Sequence, residues 1–189
     1  MALSDIALCS RALLKLGADG IASFDEGTAE AEVSANLYPS VRDALLSSHP
    51  WTFATGQAAL PKLAAEPLAD FAKAFQLPSD FLRALSAGTG PRGRGIDYRI
   101  AERRLHSDVE SVNLSYIFRP DESTFPPFFD QAVIARLAAE FCLPLTESTS
   151  RAEVLFKLAK DEFSRAKTID SQQETSGGFE GFSLMEARR

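Results

Sequence analysis

Residues able to do chemistry are few and scattered. His49 and His106 are the only histidines in 189 residues, and Cys9 and Cys142 the only cysteines. A protein metal site gathers several His, Cys or carboxylate ligands at short spacing, and neither histidine has such neighbours along the chain. Nucleophilic catalysis needs a Ser or Cys beside an oriented base. No Ser-His-Asp order, nucleophile elbow or P-loop can be written from this sequence. His49 precedes Pro50-Trp51 at the end of an apolar periodic stretch, where a positive imidazole suits the end of a helix. Cys9 and Cys142 fall on apolar helix faces far apart in sequence, which predicts buried free thiols in a reducing compartment. The expectation is a protein that is not an enzyme, with no catalytic residue, cofactor or metal ligand.

Two patterns in the middle of the chain invite a sharper reading. Gly88-Thr89-Gly90-Pro91-Arg92-Gly93 matches G-x-G-x-x-G. That fingerprint binds a pyrophosphate only where it closes a strand and opens a helix. Pro91 removes one backbone donor, and the residues that follow read as a strand, so a turn or hairpin tip is expected from 88 to 95. Arg83, Arg92, Arg94, Arg99, Arg103 and Arg104 concentrate positive charge in the same region. The planar guanidinium suits carboxylates and phosphates, so Arg92, Arg94, Arg99, Arg103 and Arg104 are candidates to meet DNA phosphates or an acidic partner surface. A solvated hairpin is the plain alternative.

Helices must carry most of the chain. Ile6, Cys9, Leu13 and Leu16 recur at three- and four-residue steps, with Ser4 as N-cap and Gly17 as terminator. A second helix starts near Thr28 with the stripe Val33, Leu37, Val41 and Leu45; Pro39 inside it predicts a kink, and His49-Pro50 stops it. Trp51 and Phe53 follow as large anchors. Short strands are expected at 81–85, 98–100 and 112–118, while 57–74 gives no clear signal. Pro126-Pro127 opens a third helix with the stripe Phe129, Val133, Leu137 and Phe141, ended by Pro144. Ser150-Arg151-Ala152-Glu153 reads as a capping box for a fourth, with Leu155, Leu158, Ala159, Phe163, Ala166 and Ile169 facing inward. The fold expected is mainly α: a helical bundle of about four helices with a small inserted antiparallel β-sheet and an extended C-terminal arm. Its parts are N-terminal bundle helices in 1–75, a β insertion in 76–120, C-terminal helices of the same bundle in 121–170, and the arm in 171–189.

Composition is that of a soluble globular protein, 45% hydrophobic and 24% charged. The formal net charge of −6 argues against a surface that grips nucleic acid throughout. No apolar run reaches the ~20 residues of a membrane-spanning helix, and residues 1–5 lack the start of a signal peptide. Synthesis in a cytoplasm and no membrane partner are expected. The arm is polar from 171 to 178, then carries Phe179, Phe182, Leu184, Met185 and Arg188. Such apolar residues in a tail suit an anchor that orders on a neighbouring subunit.

The motifs follow one another in a recognisable order. Leu16-Gly17 ends the first helix, Val41-Arg42-Asp43-Ala44-Leu45-Leu46 leads to Trp51-Thr52-Phe53, and Pro78-Ser79-Asp80-Phe81-Leu82-Arg83 comes next. Tyr116-Ile117-Phe118-Arg119-Pro120 and Phe125-Pro126 precede the alanine-rich helix, and Ser183-Leu184 with Arg188 closes the chain. In this order the chain resembles the head-to-tail adaptor proteins of tailed phages, the family of podovirus tail tubular protein A and gene transfer agent adaptors. The resemblance spans nearly the whole chain, with a β region shorter than in the podovirus proteins. It implies a structural virion protein that forms a ring, commonly of about twelve copies, beneath the portal protein. The arm (Phe179, Phe182, Leu184, Met185, Arg188) would bind portal or neighbour, and the β region would face the downstream tail or stopper protein. DNA would pass through the lumen without specific binding, at the head-tail junction of a particle made in the host bacterial cytoplasm. The rival reading is a DNA-binding module that uses the arginine-rich hairpin.

Overall fold

Ser4 and Gly17 bracket the first helix as their chemistry dictates. The Ser4 hydroxyl accepts the Ala7 N–H at 3.2 Å and α1 runs over Asp5–Leu16. Gly17 then turns the chain at φ 74°, a region that strains any L side chain. A computed structural model of the protein describes residues 3–90 and 93–173. Within them α2 spans Ala29–Ser48, α3 Pro127–Thr146 and α4 Thr149–Ser171. Strands β1 (Thr55–Leu60), β2 (Lys73–Gln76), β3 (Phe81–Gly88), β4 (Arg99–Ala101), β5 (Arg104–Ser107) and β6 (Val112–Phe118) lie between α2 and α3.

Helix α3 is the centre of the helical layer and packs against α1, α2 and α4. The expected stripe Phe129, Val133, Leu137 and Phe141 is wholly buried, and alanines at 132, 135, 138 and 139 bury the remaining faces. A helix apolar on most sides is a core helix. Pro144 does not end it; the last turn runs on to Thr146, and Glu147 closes it at φ 53°. In α2 the buried face is Ala31, Ser34, Tyr38, Val41 and Leu45, so Val33 and Leu37 sit half-buried to one side of it. Tyr38 wins that place because its hydroxyl donates to Glu122 at 2.8 Å, which satisfies the polar tip while the ring is buried. The helical span continues through Pro39, which faces solvent.

Helix α4 differs from the expectation at its start and on its buried face. Its N-cap is Ser148, whose hydroxyl accepts the Arg151 N–H, and not Ser150. Ala152, Ala159, Ala166 and Asp170 form the buried line, whereas Leu158 and Ile169, expected inside, are exposed. Small residues let α4 lie close to α3, and that close approach excludes the larger side chains from the contact.

The chain is a mixed α/β fold, 48% helical and 20% strand among the described residues, and not a mainly α bundle with one small inserted sheet. There are two three-stranded antiparallel sheets, ordered β1-β6-β3 and β2-β5-β4. Strand β6 is the middle of the first, pairing Thr55↔Ile117 through Leu60↔Val112 on one side and Phe81↔Phe118 through Gly88↔Asn113 on the other. Alternation on β6 divides two cores. Val112, Leu114 and Tyr116 join Phe75, Leu77 and Leu105 in an apolar layer between the sheets. Ile117 joins the helical core with Trp51, Phe129 and Phe141. Of the six strands among the described residues, β1, β2 and β5 were not expected. Strand β1 reads Thr-Gly-Gln-Ala-Ala-Leu, with little β propensity, and sheet formation begins at Thr55, well before 76. Strand β5 follows a two-residue turn, Glu102-Arg103, whose residues both have positive φ without being glycine.

Candidate interaction surfaces

The arginines are distributed over both sheets and do not form one hairpin tip. Arg83 is exposed on β3, and Arg94 is exposed in the loop that crosses from one sheet to the other. Arg99 lies on β4, Arg103 at the Glu102-Arg103 turn, and Arg104 on β5. Arg92 lies outside the described residues. Arg99 donates to Asp70 at 2.6 Å, across to the preceding loop. Arg99 and Arg104 line a hollow of about 390 Å³ with Glu66, Asp70, Glu102 and His106, so carboxylates face the guanidinium groups. Mixed charge of this kind holds loops together and weakens the attraction for a phosphate.

The glycine pattern has a packing explanation. A Cβ on Gly88 would stand 2.2 Å from the Arg94 backbone nitrogen, and Gly93 turns at φ 56°. The Ile96 N–H donates to the Ala87 carbonyl. The glycines thus let the crossing loop fold back on the end of β3, and no helix follows to present free N–H groups.

The two histidines and two cysteines are not brought together as a reactive set. Cys9 is buried, and burial pushes its thiol up to about 12, far from a thiolate at neutral pH. Cys142 is buried against the Thr146 hydroxyl at 3.3 Å. His106 pairs with Ala74 and Arg99 across the second sheet. Among the described residues no group of three or more His, Cys, Asp or Glu is placed to hold a metal. No helix there is long and apolar enough to cross a membrane.

His49 does end α2, but burial, its largest influence, lowers its pKa, against the pull of Asp170. The imidazole packs edge-on to Trp51 at 4.8 Å between centroids, and it is the burial there that works against the positive ring expected at a helix end.

No family model matches this chain, and no curated protein matches it. Its surfaces therefore carry the functional argument.

Two apolar surfaces flank α4. On one side Val154 is 60% exposed and Leu158 53%, with Ile169 further along. Arg151, on this same edge, donates to the Lys15 carbonyl, which sets the first turn of α4 near the end of α1. On the other side a groove runs between α2 and α4. Leu37 and Val41 form one wall, Phe156 and Phe163 the other, with Arg136 and Glu140 of α3 in the floor. It has two connected hollows of about 620 and 470 Å³, which share Leu37, Glu140 and Phe156. The Arg136 guanidinium lies over the Phe156 ring at 5.1 Å and pairs with Glu140, so the cation lies along the groove without closing it. Periodicity missed the groove because Val33, Leu37 and Phe163 read as core. The arm residues Phe179, Phe182, Leu184, Met185 and Arg188 lie outside the described residues.

Proposed function

We propose that this protein is a structural adaptor that assembles into a ring and joins a phage-type head to its tail. The observation that carries the reading is the exposed pair Val154 and Leu158 on the outer edge of α4, with Ile169 beyond the Glu162–Arg165 ion pair on the same face. Large aliphatic side chains exposed one turn apart on a helix suit burial against a neighbouring copy. A ring needs head-to-tail contact, in which one surface of each copy meets a different surface of the next. The strip supplies one such surface, and its burial between copies supplies the drive. In this reading the ring sits beneath the portal protein, the two sheets face the downstream tail component, and DNA passes through the lumen unheld. The order of motifs from Leu16-Gly17 to Ser183-Leu184 supports it independently.

The test is negative-stain electron microscopy of the protein mixed with the portal encoded beside it. Rings seated on portals, abolished by Leu158→Asp, are the expected result. Free monomers beside bare portals, together with tight salt-sensitive DNA binding lost on Arg99→Ala and Arg103→Ala, would replace the adaptor with a DNA-binding module.

A further inference from the structure

The groove between α2 and α4 has the position and length to receive the end of its own chain. We infer that in the free protein residues 179–185 of the same chain dock there, along α4 and antiparallel to it. The inference stands whether or not the chain forms a ring.

Reach is the first argument. Helix α4 ends at Ser171, and its groove-lining residues Phe163 and Phe156 lie eight and fifteen positions earlier. At ~1.5 Å per helical residue they are roughly 12 and 22 Å back from the helix end. Chain leaving residue 173 in extended form covers up to ~3.3–3.6 Å per residue, so Phe179 reaches ~20 Å and Phe182 ~30 Å. The apolar cluster of the tail therefore begins at the distance where the groove lies.

Chemistry is the second. The outer hollow is lined by Val33, Leu37, Leu143, Pro144 and Phe156, apolar side chains wide enough apart to admit others between them. The tail offers Phe179, Phe182, Leu184 and Met185, in a chain whose preceding eight residues are polar or glycine. Glu180 stands between the phenylalanines, and the cationic groups at the groove are Lys160 and Arg136. An amphipathic segment laid into a hydrophobic groove is a recurrent recognition mode. Tethering makes it intramolecular, which raises the effective concentration to the millimolar range.

The test is a disulfide trap in the full-length protein without portal. Ser40, exposed on the groove wall, and Ser183 are both changed to Cys; Ser123→Cys with Ser183→Cys is the control pair. Native Cys9 and Cys142 are buried and do not compete. The expected result is a monomeric disulfide between positions 40 and 183, independent of protein concentration and lost when Phe156→Asp is added. Circular dichroism of the Phe156→Asp protein should show an unchanged fold, since Phe156 is partly exposed. Concentration-dependent disulfide dimers would overturn the assignment in favour of a neighbour's groove. Equal trapping in the control pair, or none in either, would overturn docking altogether.

Discussion

The Asp170 carboxylate, buried near the end of α4, accepts both the backbone N–H of Thr52 at 3.1 Å and its hydroxyl at 2.7 Å. These residues are 118 apart in sequence, and the bond fixes α4 to the turn that leads from the helical layer into β1. Asp170→Ala removes the acceptor and leaves the Thr52 donors unpaired, so a loss of roughly 3 kcal/mol is expected. Thr52→Val removes only the hydroxyl and should cost about 1 kcal/mol. Urea unfolding of both single variants and the double variant measures the coupling.

His49 predicts an acid limb in the stability curve. Burial lowers its pKa from 6.5, so the unfolded chain takes up a proton more readily than the folded one. Its contribution is complete above about 6.5 and is lost as pH falls through the depressed folded value. Replacing His49 with Gln should flatten that part of the curve while leaving the alkaline side unchanged. Thermal melts of both proteins across the acid range measure it.

Asp130 acts in the opposite sense. Burial raises its pKa, although the Arg11 charge opposes this, and its Oδ1 atom has no hydrogen-bond partner among the described residues. A raised folded pKa means that stability present at low pH is lost as pH rises from the ordinary 3.8 through the folded value. Asp130→Asn should therefore raise Tm at about pH 7 and do so far less at about pH 3. An equal effect at both pH values would sink this account.

Gly88→Ala tests the close approach of the crossing loop. The added methyl meets Arg94 backbone atoms at 2.2 and 2.3 Å, which rotamer changes cannot relieve. A loss of roughly 2 kcal/mol is expected from the overpacking. Gly90→Ala, where a Cβ has open space, should be nearly neutral. Chemical denaturation of the pair separates steric from entropic effects.

Leu158→Asp separates assembly from folding. Leu158 is exposed in the single chain, so stability should change by less than about 0.5 kcal/mol. Analytical ultracentrifugation and microscopy with portal present should nevertheless show loss of the ring. Retention of full assembly would remove the α4 strip from the interface.

Local chemistry made much of the helical layer legible. Ser4 with Gly17, Thr28, and Pro127 act through their own backbone or side chain within a turn, so the helix starts and the end of α1 follow from neighbouring residues. The stripe Phe129, Val133, Leu137 and Phe141 repeats clearly enough to survive any context. Reading failed where the outcome depended on distant partners. Tyr38 is buried because Glu122, 84 residues away, takes its hydroxyl bond. Strands β1 and β5 exist because β6 and β2 pair with them, and their own residues carry little preference.

The candidate surfaces divide along the same line. That Phe179, Phe182, Leu184 and Met185 close a polar tail, and that no metal or nucleophile constellation is written along the chain, the amino-acid order determines by itself. Which aliphatic residues stay outside was decided by tertiary packing. Leu158 and Ile169 are as apolar as any core residue, yet alanines at 152, 159 and 166 bring α4 so close to α3 that only their own face is covered. The dispersal of the arginines over two sheets was decided there too, since strand pairing, and not proximity in sequence, sets which charges meet. Periodicity reports a preference for burial, and the partner surface available decides which preferences are met.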